Sequence, residues 1–220
     1  MARGLFVTGT DTGVGKTRVA VAILRALSDS GRRAVGMKPV AAGLAADGSA
    51  NPDVAALLDA GNVDAPLPDR NPFAFLPAIA PHLAAAEAGA TIELAAIAAA
   101  YARLAARSDV VVVEGAGGAL VPIDATHDML DIAARLRLPV LLVVGMRLGC
   151  LNHALLSAAA IRARGLELAG WVANGLDPRM QALAANVEAL SLRLHAPLVA
   201  SIAWGTLPFL PPVVLDKLFA

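Results

Sequence analysis

The stretch Leu5-Phe6-Val7-Thr8-Gly9-Thr10-Asp11-Thr12-Gly13-Val14-Gly15-Lys16-Thr17 decides how this 220-residue chain is read. An apolar run leads into a glycine-rich turn, and the turn opens a helical pattern through Val19, Ile23, Ala26 and Leu27. Between strand and helix, such a turn leaves successive backbone N–H groups pointing inward. With the positive end of the helix dipole they cradle phosphate. Lys16 then reaches the β- and γ-phosphates, and the Thr17 hydroxyl reaches Mg²⁺. The spacing is irregular, because five residues separate Gly9 from Gly15 where four are usual, so Thr10 stands in the place of the first glycine. The flanking strand and helix are the context in which this motif acts, and the stretch reads as a P-loop.

Composition narrows the class. Lysine plus arginine equals aspartate plus glutamate at 18 each, which argues against a nucleic-acid or acidic-membrane binder. Charged residues make up 16% and the hydrophobic class 57%, much of it alanine, as expected of a buried parallel sheet under alanine-rich helices. The length suits one domain over residues 1–220. A single cysteine, Cys150, excludes an internal disulfide and suits a reducing cytoplasm, and the start of the chain lacks a signal-peptide pattern. Leu194 to Leu215 carries no formal charge and is long enough to cross a bilayer, but Pro197, Gly205, Pro208, Pro211 and Pro212 interrupt it. It reads as a buried strand followed by a proline-rich surface tail, in a soluble protein.

Short apolar runs alternate with helical patterns. Strands are expected at Gly4–Thr8, Ala34–Met37, Asp109–Val113, Pro139–Gly145, Leu168–Ala173 and Pro197–Ile202. Helices are expected at Lys16–Ser28, Ile92–Ala106, Met129–Leu136, Leu151–Arg164 and Arg179–Leu194. The alternation predicts an α/β fold, a mostly parallel sheet with helices on both faces. Residues 41–90 are rich in Ala, Gly, Asn and Pro and predict loops and short helices. Ligands of such sheets sit beyond the carboxyl ends of the strands, so polar residues there become candidates.

The second strand ends in Lys38-Pro39, where proline stops strand pairing and holds the ammonium beside the phosphate turn. Val110–Val113 runs into Glu114-Gly115-Ala116-Gly117-Gly118, a carboxylate suited to nucleotide-bound Mg²⁺ followed by glycines that let backbone approach phosphate. Asn51-Pro52-Asp53 reads as a capped helix start, in which Asp53 needs no further function. Asn174-Gly175 reads equally as a turn or as an amide facing an adenine edge. Leu148-Gly149-Cys150-Leu151-Asn152-His153 opens another helix, whose free N–H groups suit a carboxylate. Cys150 and His153 form no metal-ligand set, and His82 and His127 read as loop or capping residues.

Together these pieces resemble the dethiobiotin synthetase family. The resemblance rests on Val7 to Thr17, Lys38-Pro39-Val40, Val113 to Gly118, Leu148 to His153 and Gly170-Trp171-Val172-Ala173-Asn174. It covers nearly the whole chain, and the lengthened P-loop is itself a trait of that family. It implies a homodimeric, cytoplasmic, ATP- and Mg²⁺-dependent ligase. Such an enzyme joins 7,8-diaminononanoate with CO₂ (or bicarbonate) into dethiobiotin, with ADP and phosphate released. By this resemblance Thr12, Gly13, Val14, Gly15, Lys16, Thr17 and Arg18 surround the nucleotide with Gly115, Ala116 and Gly117. Thr17, Asp53 and Glu114 surround Mg²⁺, while Lys16 and Lys38 are catalytic. Asn174, Gly175, Ala203, Trp204 and Gly205 face adenine, and Thr12, Lys38, Ala42, Gly149, Cys150, Leu151 and Asn152 meet the substrate.

Two positions depart from the family pattern. Ala42 stands where relatives often carry serine, and the tail Ala203-Trp204-Gly205-Thr206-Leu207 lacks a proline before its aromatic residue. Partition ATPases place an extra lysine where this chain has Asp11, and cobyrinate-type amidation ligases carry a glutamine-hydrolysing domain for which there is no room. A P-loop-shaped binding module without turnover is disfavoured by intact Lys16, Thr17 and Glu114.

Overall fold

A computed structural model describes residues 3–44, 51–208, 210, 215, 218 and 219. In chain order the elements begin with β1 (Arg3–Gly9), α1 (Lys16–Asp29), β2 (Ala34–Met37), β3 (Val40–Ala42), α2 (Pro52–Ala60), α3 (Leu67–Arg70), β4 (Phe73–Phe75) and α4 (Pro81–Glu87). They continue with α5 (Leu94–Ala105), β5 (Val110–Glu114), α6 (Met129–Leu136), β6 (Val140–Met146), α7 (Cys150–Ala163), β7 (Leu168–Gly175), α8 (Leu183–Leu194) and β8 (Leu198–Ile202). Six strands form one sheet in the order β2-β5-β1-β6-β7-β8, and every pairing in it is parallel.

The continuous apolar runs follow from burial on both faces. Phe6, Val111, Val113, Leu142, Val144 and Trp171 pack against α5, α6, α7 and α8 through Ile97, Leu104, Leu130, Ala154, Ile161 and Leu190. The alternate residues Leu5, Val7, Val112, Leu141, Val143 and Val172 pack against α1 through Val19, Ile23, Leu24 and Leu27. Alternate side chains point to opposite faces, so a strand covered on both sides must be apolar throughout. The predicted fold class is therefore the observed one.

Differences lie at the margins. Residues 41–90 contain not only loops and short helices but a second, two-stranded parallel sheet of β3 and β4. Its strands are three residues each and carry no periodicity to read. Glu114 lies inside β5 rather than after it. Asn174-Gly175 is not a turn, because β7 continues through both residues, paired with Gly145 and Met146. The expected buried strand near residue 197 is an edge strand, β8, with Leu198 and Ser201 exposed. The helix read from Arg179 begins only at Leu183, after Ala182 adopts a left-handed φ of 54°. Pro211 and Pro212 lie outside the described residues; among the described ones no helix is long and apolar enough to cross a membrane.

Candidate functional site

The central strand β1 delivers the P-loop between β5 and β6, where the strand order runs outward in both directions. Crevices of parallel sheets open at such points. Gly13 and Gly15 have φ of 74° and 96°, a region that disfavours other residues, and Gly15 is the N-cap of α1 without any side-chain cap. The first-turn N–H groups of α1 are thus left for an anion. Thr10 N–H donates to Val143 O at 3.0 Å, and the Thr10 hydroxyl accepts from Gly145 N–H at 3.3 Å, which ties the turn to β6. Lys16 Nζ donates to Asp11 O at 3.0 Å. The Asp11 carboxylate accepts from Thr12 N–H at 2.7 Å and pairs with Arg147 at 2.5 Å.

Beside this cradle the ends of β2, β5 and α2 converge. Lys38 Nζ donates to Glu114 Oε1 at 2.7 Å and to Asp53 Oδ2 at 2.8 Å, while Thr17 Oγ1 donates to the same Glu114 Oε1 at 2.8 Å. Glu114 is fully buried and Lys38 is 5% exposed. Asp53 is placed by the helix start read from sequence: Asn51 Oδ1 accepts from Asp53 N–H at 3.0 Å, and Pro52 occupies the first turn of α2. Asn51 Nδ2 in turn donates to Ala42 O at 3.1 Å and Gly43 O at 3.0 Å, which fastens α2 to the end of β3.

The two lysines are tuned in opposite directions. Burial lowers the pKa of Lys16, outweighing its attraction to Glu114. Burial also opposes the charge on Lys38, but Glu114 and Asp53 together prevail and hold its pKa above the ordinary lysine value. Asp53 is likewise opposed by burial, yet its pairing with Lys38 keeps it below the usual carboxylate value.

A cavity of about 690 Å³ joins these groups. Of the residues singled out from sequence, Thr12, Gly13, Gly15, Lys16, Thr17, Arg18, Lys38, Ala42, Asp53, Glu114, Ala116 and Gly117 line it. Ala78, Ile79, Ala80, Pro81 and Val121 form an apolar wall that sequence reading missed. Apolar residues in an irregular segment carry no chemical signal; only Pro81, first in α4, marks a local boundary. Glu114 Oε2 is buried without a hydrogen-bond partner. Two carboxylates and a hydroxyl are an all-oxygen set that suits Mg²⁺, which takes few protein ligands and completes its shell with phosphate and water. Among the described residues no group of three or more acidic, His or Cys side chains could hold a metal ion by itself.

Not every expected residue reaches this cavity. Val14 is buried and Gly115 packs on Phe6, so each contributes backbone only. Asn174 is buried against the P-loop, its Nδ2 donating to Val14 O at 2.7 Å and its Oδ1 unpartnered. A Cβ on Gly15 would run into that amide, so the second P-loop glycine is required by packing as well as by φ. Gly175 lies against the Trp204 backbone; the Trp204 ring is 59% exposed, and Arg18 donates to Thr206 O, tying the 203–206 turn to α1. Gly149, Cys150, Leu151 and Asn152 open α7 at a different cleft, of about 500 Å³, shared with Arg147, Asp177 and Arg179. Cys150 is buried, and Gly149 caps α7 with φ 94° and no side-chain cap. His127 pairs with Asp124 at 2.8 Å in the loop before α6, consistent with a loop role, and His82 sits inside the first turn of α4 rather than at its cap.

Residues 3–208 match the model of a family described as AAA domain. A protein of Nitrosospira multiformis named ATP-dependent dethiobiotin synthetase BioD is 51% identical over 209 residues, 95% of this chain and 89% of its own. The chain belongs to the dethiobiotin synthetase family. Members from Aromatoleum aromaticum and Xanthomonas euvesicatoria, named alike, are 51% and 48% identical over 91% and 94% of this chain and 90% and 91% of theirs. Among solved structures, a ParA family ATPase from Chlorobium tepidum aligns with a TM-score of 0.56 over 99% of this chain and 89% of that one, at 15% identity. The cell division protein FtsY from Thermotoga maritima aligns at 0.50 over 100% and 69%, at 16% identity. Family members at half identity share the sequence; these structures share the P-loop fold alone.

Proposed function

We propose that the chain is an ATP-dependent cyclo-ligase that converts 7,8-diaminononanoate and CO₂ into dethiobiotin, with ADP and phosphate released. The observation that carries this reading is Lys38, held between Glu114 and Asp53 beside the P-loop, in a chain 51% identical to a protein named for that synthesis. One amine captures CO₂ as a carbamate and releases a proton. A carbamate oxygen attacks the γ-phosphorus, the bond to the bridging oxygen breaks, and ADP leaves a carbamic–phosphoric anhydride. The second amine attacks the activated carbon, loses its proton and expels phosphate as the cyclic urea closes.

Closure is intramolecular, so positioning supplies much of the rate and no covalent nucleophile is needed. Lys16 and the N–H groups of residues 13–17 hold the triphosphate. The Lys38 ammonium faces the same cavity and neutralises charge on the carbamate and transferring phosphoryl group. Mg²⁺, when bound, screens the phosphate oxygens, and Thr17, Asp53 and Glu114 are the residues that would hold it. Adenine is read at Asn174, Gly175 and 203–205 from the family likeness, and the buried Asn174 amide has to move to meet it. The apolar wall at 78–81 suits the substrate's methylene chain, and Ala42 offers it no hydroxyl. The opening of α7 faces a separate cleft, which fits a homodimer in which one protomer's Gly149–Asn152 receives the carboxylate bound in its partner. Leu148, Leu156 and Leu120, 99%, 62% and 53% exposed, offer the apolar surface such a dimer needs. A cytoplasmic, single-domain enzyme completes this reading.

Phosphate release is measured with diamine and bicarbonate added separately and together. Release that requires both, with a ureido product by mass spectrometry, supports the ligase; release with neither, or none with both, overturns it.

A further inference from the structure

Among the described residues β2 pairs with β5 alone, and no strand lies along its outer edge. Along a strand, the N–H and C=O groups of alternate residues face the same side. On the side away from β5 these belong to Ala34, Gly36 and Lys38, and segment 62–71 meets both groups of Ala34 and Lys38 and the carbonyl of Gly36. Ala34 N–H donates to Asn62 Oδ1 at 2.8 Å, and Asn62 N–H donates back to Ala34 O at 3.1 Å. Gly36 O accepts from Arg70 Nε at 3.2 Å. Lys38 N–H donates to Arg70 O at 2.8 Å, and Lys38 O accepts from Asn71 Nδ2 at 2.7 Å. Side chains and a loop thus substitute for a neighbouring strand along an edge that would otherwise be open.

Asn71 is the part of this plug that reaches the site. Its Nδ2 also donates to Phe73 O at 3.2 Å, so both amide hydrogens are engaged, and the residue is 9% exposed. Lys38 is therefore gripped on its N–H by one residue and on its C=O by the next, just where Pro39 ends the strand. A lysine stem is long and flexible, and ordering it is entropically costly unless its backbone is already placed. We propose that Asn71 is a positioning residue for Lys38: its amide fixes the Lys38 backbone from which the ammonium spans Glu114 and Asp53. The catalytic consequence rests on the function proposed above; the placement of Lys38 does not.

Asn71→Asp keeps the shape but offers only acceptors to two carbonyls. Turnover should fall about 10-fold to 10²-fold, as misplacement of a reacting group does, with KM for ATP changed less than about twofold. An independent readout comes from the lysines, which number three, Lys16, Lys38 and Lys217. With acetic anhydride and peptide mass spectrometry, Lys38 acetylation in the folded variant should accelerate several-fold while Lys16 does not. Asn62→Ala, which opens the same edge far from Lys38, should lower the melting temperature and leave turnover and Lys38 labelling unchanged. If Asn71→Asp does not fold, Asn71→Ser, which keeps one donor, is read the same way. Unchanged Lys38 labelling, or equal acceleration at Lys16 and Lys38, overturns the proposal. Should the wild-type chain form no ureido product, the proposed function fails, while the labelling comparison still decides the role of Asn71.

Discussion

At the residue scale, the site contrasts two lysines in one cavity. Lys38 is 5% exposed and bracketed by carboxylates, whereas Lys16 is 6% exposed and hydrogen-bonded to a carbonyl. Removing either charge should cost about 3 kcal/mol, or about 10²-fold in turnover, so Lys16→Ala and Lys38→Ala should lose at least that in phosphate-release assays while circular dichroism stays native. The opposite pKa shifts also shape the pH profile. A free substrate amine, with pKa about 10.4 by analogy with lysine, must lose its proton to attack, so activity should rise from neutral to mildly alkaline pH. Lys38, raised, keeps its charge through that range; Lys16, lowered, loses it first. The alkaline fall in kcat/KM should therefore set in below the ordinary lysine pKa, and a profile flat from pH 7 to 9 would contradict the assignment.

Stability follows the same signs. The raised pKa of Lys38 means its pairing stabilises the fold below the unfolded lysine pKa and is lost as pH rises through the folded value. The lowered pKa of Asp53 means its pairing stabilises the fold above the unfolded carboxylate pKa and is lost as pH falls through the folded value.

At the element scale, the start of α2 links stability to the site. Asn51 caps Asp53 N–H and anchors Ala42 and Gly43, so Asn51→Ala should cost about 1–2 kcal/mol in urea unfolding. The Mg²⁺ concentration giving half-maximal activity should rise too, since Asp53 is carried by that cap. Here the sequence was readable: Asn51-Pro52 announced the helix, and Val110–Val113 announced a strand, which runs one residue further than expected, through Glu114. What stayed hidden was contact across distance. Asn71 lies in an irregular stretch and gains its partners only when β2 lies beside it; Arg147 meets Asp11 only after β6 pairs with β1. Of the two readings of Asn174-Gly175 the turn gives way, because a local turn signal is overridden when β6 pairs with both residues and β8 with Asn174.

At the scale of the whole molecule, the exposed leucines of the α7 side argue for a paired assembly. Leu156→Asp should shift sedimentation from twice the 22.3 kDa chain mass to that of one chain without loss of helical content. Activity should fall with it if the opening of α7 serves the partner. A single sedimenting species at the chain mass in the unaltered protein would remove the argument.

The place of β1 in the sheet has one more consequence. The central strand, β1, is made before both its neighbours, and β5 and β6 arrive more than a hundred residues later. Parallel pairings between distant segments fold slowly, because the intervening loop must close before any contact rewards it. Synthesis therefore has to reach β6 before the phosphate turn acquires both its strand walls, and until then only α1 is at hand to cover one face of β1. Nascent chains stalled before residue 110 should remain protease-sensitive and engage chaperones, while those stalled beyond residue 175 should resist digestion.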